Sequence, residues 1–293
     1  MGPSRLLSLH FFFAVLFFLV GRASSGSSNV NGNGANTASL RQYTEKGEIA
    51  QLAYSALAIE KDAPLIAFAD PETSSAIILL VNRVASSLMS FPSGSNARLE
   101  HLRDEKLVTA VGGFVADGNY ARVHLFSLIQ NHRFVFGESP SLENLSSQMS
   151  SWITRGLYTD REDPIERPLA LSLLLSTYCA EENRAKLVLV ENSGLVTDRK
   201  YVVTGALSAV HRKQILSIIA ESSTPVLSKV KQILNLLVVD GDGEYTNDGD
   251  AYFECCVVRE RGISCKNDLK CSAPRDVYAF VELCYSSEET TAV

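Results

Sequence analysis

Clustered basic residues are missing from this chain. Its 27 lysines and arginines are outnumbered by 33 aspartates and glutamates over 293 residues, for a formal net charge of −6, and no stretch gathers the cations into a stripe. A surface that neutralises phosphates needs such a stripe, so a broad nucleic-acid-binding face is excluded. Metal-ligand spacing is missing too: Cys265 and Cys271 are too far apart for a Cys-x-x-Cys pair, and no histidine lies close by. The acidic run Asp240-Gly241-Asp242-Gly243-Glu244 lacks the glycine and the closing glutamate that a calcium loop places at fixed positions, and reads as a solvated insertion. No cofactor is expected. Apolar runs stop short of the roughly 20 residues of a membrane-spanning helix, so no stable span is expected.

What is present begins with a leader. Arg5 precedes an apolar run from Leu6 to Val20, and Gly21-Arg22-Ala23 then offers the small residues that a signal peptidase reads. Residues 1–23 read as a signal peptide; an uncleaved anchor or a start codon placed too far upstream are the alternatives. Residues 24–39 are Ser, Asn and Gly with almost nothing to bury, a flexible tail. Five of the six cysteines (Cys255, Cys256, Cys265, Cys271 and Cys284) crowd the C-terminal end, and a leader permits disulfides. Cys265 with Cys271 is the candidate pair. Cys255 and Cys256, adjacent on a strand, point to opposite faces, which makes one a small buried hydrophobe. Asn144-Leu145-Ser146 makes Asn144 a glycosylation candidate, or simply the solvated face of a helix.

With 46% hydrophobic residues the rest can bury a sizeable core. Helical spacing of Ile49, Leu52, Ala53, Ala56 and Ile59 predicts a helix ending before Pro64. Two apolar runs, Leu65 to Ala69 and Ala76 to Val84, flank the turn Asp70-Pro71-Glu72-Thr73 as a hairpin. Another strand is expected over Lys106 to Gly112. From Asn119 the pattern is helical, with Val123, Phe126, Leu128, Ile129 and Phe134 as a broad apolar face before Gly137. A second helix starts behind Ser141, a plausible cap, and runs through Ile153. Strands follow over Leu169 to Tyr178, Lys186 to Glu191 and Tyr201 to Gly205, helices over Ala209 to Ala220 and Val226 to Leu237, and a last strand over Tyr252 to Val258. Strands in blocks rather than strict βαβ alternation predict an α+β fold, two sheets between helix layers. The domain is expected over residues 40–262, with a Cys-containing C-terminal extension over 263–293.

Four segments in order carry a resemblance. Gly47-x-x-x-Gln51-x-x-Tyr54-x-x-x-Ala58 resembles the signature helix that opens proteasome α-type subunits, with Glu48 in place of its arginine and Ala53 in place of its glutamate. Gly113-Phe114-Val115-Ala116-Asp117-Gly118 resembles the family's Gly-x-x-Ala-Asp turn between a central strand and the first long helix. Gln130-Asn131-His132-Arg133-Phe134 is similar to a run on that helix, and Arg167-Pro168 to the opening of the strand after the second helix. Asn192-Ser193-Gly194 stands where the family has Asp-Pro-Ser-Gly.

The resemblance covers Gly47 to about Val258 and implies the four-layer αββα sandwich of N-terminal-nucleophile hydrolases. It implies a structural subunit in a hetero-oligomeric ring of a core particle that degrades ubiquitinated proteins, working in cytoplasm and nucleus. Gly47, Gln51, Tyr54, Gln130 and His132 would lie at subunit contacts. It implies no catalysis: β-type subunits expose a threonine as a new N-terminus with a lysine beside it, whereas the first strand here opens Asp62-Ala63-Pro64-Leu65, and Thr44 follows Tyr43 ahead of the signature helix. The lysine of the family's Glu-Lys-Arg segment falls on Asn82, and a neutral asparagine cannot pair with an activator's C-terminal carboxylate; Arg83 beside it is the alternative partner. His132 has no paired Ser, Cys or carboxylate and is expected to pack or cap. The leader, if used, implies the secretory pathway, ER lumen or extracellular, and a divergent pseudoenzyme acting as a binding protein. A self-processing amidohydrolase is the remaining class.

Overall fold

The computed structural model describes residues 43–82, 97–158, 167–239, 252–270 and 274–286. The leader, the Ser/Asn/Gly tail, the 240–250 acidic loop and Cys271 lie outside these. The described chain runs through helix α1 (Ala50–Glu60), strands β1 (Leu65–Asp70), β2 (Ser75–Asn82) and β3 (Leu99–Leu102), a 3-10 turn (Arg103–Glu105) and β4 (Leu107–Gly113). Helices α2 (Val115–Phe136) and α3 (Leu142–Tyr158) follow, then β5 (Leu171–Cys179), β6 (Arg184–Val190), β7 (Val196–Asp198) and β8 (Tyr201–Thr204). Helices α4 (Ala209–Ala220) and α5 (Val226–Val239), strands β9 (Tyr252–Arg259) and β10 (Gly262–Lys270) and helix α6 (Pro274–Ser286) complete it.

Strand alternation builds the layers. On β1, Ile66 and Phe68 face one way and Leu65 and Ala67 the other; on β2, Ile77, Leu79 and Val81 oppose Ala76, Ile78 and Leu80. One set packs under α4, α5 and α6. The other meets Val108, Ala110, Leu174, Leu187 and Leu189 of the second sheet. Beyond that sheet, Val111, Leu171, Leu173 and Leu175 pack with Ala121, Leu125 and Ile129 of α2 and with Met149 and Ile153 of α3. The sheets are antiparallel, in the orders β10-β9-β2-β1-β8 and β3-β4-β5-β6-β7. Helices, sheet, sheet, helices: this is the expected αββα sandwich.

The first hairpin turns where expected, closed by Thr73, whose N–H (3.0 Å) and hydroxyl (2.7 Å) both donate to Asp70 Oδ2. Ser141 caps α3, its hydroxyl accepting from the Asn144 N–H at 3.2 Å. Helix α2 begins at Val115, four residues before the expected Asn119, because Gly118 is not a turn residue. A Cβ there would stand 2.4 Å from Val111 Cγ1, so the glycine lets the helix lie against β4.

Residues beyond 262 were expected as an extension, and they instead supply β10 to the first sheet and α6 to its covering layer. Strand β10 escapes a hydrophobicity reading because Lys266 and Asn267 sit within it. Helix α6 buries Val277, Val281 and Cys284 at helical spacing. The expected Cys265–Cys271 pair is corrected by register: Cys265 lies directly across from Cys256 on β9, and these two form the disulfide. Cys255 faces the helices and Cys256 the space between sheets, as adjacent strand positions must. Burial pushes the Cys255 thiol far up, so it stays protonated.

Candidate functional site

The segments of the resemblance, except Gln130 to Phe134, meet at one end of the sandwich. Helix α1 enters through a tight turn: the Glu48 N–H donates to Thr44 Oγ1 (3.2 Å), the Gly47 N–H to the Thr44 carbonyl (2.9 Å), and Gly47 takes φ +81°. That φ explains Gly47 locally, since no atom lies within 4 Å of where its Cβ would be. Further along α1, Asn192 Nδ2 donates to Ser55 Oγ (2.6 Å), and Ser55 to the Leu52 carbonyl (2.8 Å). The Asn192-Ser193-Gly194 turn therefore holds α1 down.

At the end of α1, Asp62 receives both terminal guanidinium nitrogens of Arg98, one at 2.8 Å, and the Gly113 N–H at 2.9 Å. Gly113 has φ +99°, and a Cβ on it would stand 2.3 Å from the Ala170 carbonyl oxygen. Next to it, Arg167 makes a two-pronged pair with Asp117 (2.8 and 2.7 Å), whose Oδ2 also accepts from the Ala170 N–H at 2.8 Å. The pair holds the Arg167 guanidinium above its ordinary pKa, the hydrogen bond to Asp117 being the main cause. Glu254, fully buried, accepts from the backbone of Arg98 and Leu99 (2.6 Å from Leu99 N). Asp62, Asp117, Asn192 and Glu254 are thus each spent on groups of this end. Among the described residues of this end no nucleophile is paired with a base: the residues just ahead of β1 are Ala63 and Pro64, and Thr44 Oγ1 serves the turn. Among the described residues no group of His, Cys, Asp and Glu could hold a metal ion.

Outward, the same elements are apolar. Tyr54 on α1 is 66% exposed. On α2 the expected apolar face splits in two: Ile129 is buried with Ala121 and Leu125, and Leu128 packs beside them, whereas Val123 (70%), Phe126 (54%) and Phe134 (92%) face away from the core. A helix with an apolar stripe on its far side has more to bury than its own domain covers.

Gln130 is exposed and His132 half-buried, about 20 Å along the axis from Asp117. The two groups of expected contact residues are therefore not one patch. His132 caps as expected: its Nδ1 lies 3.0 Å from the Glu138 carbonyl, which can only accept, so Nδ1 carries the proton. Its ring also packs on Phe136 (4.5 Å). Arg133 is tied to Glu105 of the 3-10 turn at 2.8 Å. Asn144 is exposed and accepts from Gln148, while Ser146 of the same sequon is buried. Sequence reasoning missed the Asp62–Arg98 and Asp117–Arg167 pairs; in the second, both partners stood inside segments already singled out.

Comparison with known proteins bears on this arrangement. A family model described as "Proteasome subunit" matches residues 72–218, half of the chain. Proteasome subunit alpha type-5 of Trypanosoma brucei brucei is 30% identical over 173 residues, 58% of this chain and 68% of that protein. The chain belongs to the proteasome subunit family. Proteasome subunit alpha type-3 of Drosophila melanogaster is 26% identical over 157 residues, 53% of this chain and 58% of that protein. Both relatives are α-type, in agreement with the resemblance that begins at Gly47. In this family member the matched region ends inside α4, so β9, β10 and α6 lie beyond it.

Proposed function

We propose that the chain is a non-catalytic α-type-like subunit of a proteasome core particle, one position in a hetero-oligomeric ring whose role is structural. The observation that carries this reading is the second apolar stripe of α2, Val123, Phe126 and Phe134, lying outside a core that is complete without it. The same site lacks a hydroxyl or thiol at the start of β1, and the carboxylate nearest that start is engaged by Arg98 and the Gly113 N–H. α1 and its Gln51 and Tyr54 supply one contact, and the far part of α2, with Gln130 and His132, another. In this reading the subunit works in cytoplasm and nucleus, in the degradation of ubiquitinated proteins. Asn82, at the end of β2, stands where the family has the lysine that receives an activator's C-terminal carboxylate, and as a neutral side chain it does not form that ion pair.

The test is one substitution on α2. Phe126→Asp should leave thermal stability within about 0.5 kcal/mol, as surface changes do, yet abolish recovery of other proteasome subunits with the tagged chain. Equal recovery by Phe126→Asp and wild type would remove the stripe from the interface. A secretory-pathway binding protein of the same fold is the second reading, favoured by the leader sequence and the Cys256–Cys265 disulfide. Endoglycosidase-sensitive mobility that depends on Asn144 would support it.

A further inference from the structure

Strand β3 ends one sheet and β10 ends the other, and along this double edge opens a cleft of about 1200 Å³. Its lining is cationic in an acidic protein: Arg103 and Lys266 are exposed there, with Arg122 half-buried beside them. Glu100, the one acid among the described lining residues, is already met by Arg122 at 3.4 Å. Burial, with Arg103 adding to it, holds the His101 imidazole below its ordinary pKa, so the charge of the lining comes from the arginines and Lys266.

The edge also has backbone to offer. Leu99 turns its N–H to Glu254 (2.6 Å) and its carbonyl to Asn267 Nδ2 (3.1 Å), away from β4. By the two-residue repeat of a strand, His101 presents its N–H and C=O to the same side, beyond the reach of the two groups that hold Leu99. Two further polar atoms of the lining, Asn267 Oδ1 and Arg122 Nε, are out of contact with solvent and have no hydrogen-bond partner. Buried groups of this kind carry a cost that a ligand's own donors and acceptors would relieve.

We propose that this edge receives an extended acidic peptide segment of a partner protein. The segment adds as a strand beside β3, bonding the His101 backbone, while its carboxylates face Arg103 and Lys266. Charge complementarity favours this occupant over the chain's own residues 83–96, which contain no aspartate or glutamate. The proposal does not depend on ring assembly, and its test needs none.

The experiment is fluorescence anisotropy of labelled hexaglutamate with the full chain at about 100 mM salt, beside hexaglutamine and hexalysine. Hexaglutamate should bind and the controls should not. Arg103→Glu combined with Lys266→Glu, both exposed and so compatible with folding, should weaken binding by about tenfold or more. Methylating alternate peptide nitrogens should weaken it as much, because strand addition needs those N–H groups. Absence of hexaglutamate binding, or indifference to either change, overturns the proposal. So does binding that appears only after residues 240–250 are replaced by a neutral linker, since the chain's own acidic loop would then be the occupant.

Discussion

The end of the sandwich where α1, β4 and β5 meet and the flank built from β9, β10 and α6 are secured by different means. At the first, backbones approach through glycine, and Asp62, Asp117 and Asn192 each bind groups far away in sequence. At the second, apolar groups such as Phe253, Val257, Val277 and Val281 fill a face and one cross-strand disulfide adds a link, with Glu254 and Asn267 as the specific ties to β3. A residue with a specific partner resists replacement; a residue that only fills volume does not. The first region carries the resemblance, and its β4, Asp117, β5 and Asn192 fall within the matched residues 72–218, whereas α1 and Asp62 precede them and the second region follows them.

That contrast can be broken most forcefully at Gly113. Alanine there meets the Ala170 carbonyl in a positive-φ conformation, and urea denaturation should report a loss of about 4 kcal/mol. A loss below about 1 kcal/mol would mean that the close approach is loose. Asp117→Ala comes next: it strands the buried Ala170 N–H and frees Arg167, for about 3 kcal/mol in the same assay. At the other flank, Cys256→Ala should cost about 2 to 3 kcal/mol, the value for closing so short a loop. Reductant should bring the wild type to the same midpoint, and an unmoved midpoint would deny the link.

The smallest effect sharpens the comparison by pH. His124 stacks on Trp152 (4.3 Å), and burial lowers its pKa from 6.5. The unfolded chain therefore takes up the proton first, so stability is full above about 6.5 and declines as pH falls toward the folded-state pKa. His101 adds the same sign. Melts between pH 7.5 and 5 should show a shallow decline that His124→Phe reduces; a rise on acidification would contradict the burial.

The sandwich and most of its long elements were legible in the sequence because period-2 and helical patterns survive wherever one face is buried. Strands β3 and β7 were not, being four and three residues long and partly exposed. Gly118 misled because a glycine that permits close packing looks like one that makes a turn. Val123, Phe126 and Phe134 are indistinguishable in sequence from Leu125 and Ile129: apolarity says that a residue is to be buried, not against what. Cys256 met Cys265 rather than leaving it to Cys271 because pairing follows strand register, which requires knowing that β10 exists.

The central claim is that this surface belongs in a ring. Expressed with a tag at its native level and fractionated by size, the intact chain should migrate with the core particle, and mass spectrometry of that fraction should identify other proteasome subunits. Migration as a monomer, with no other subunit recovered, would contradict it.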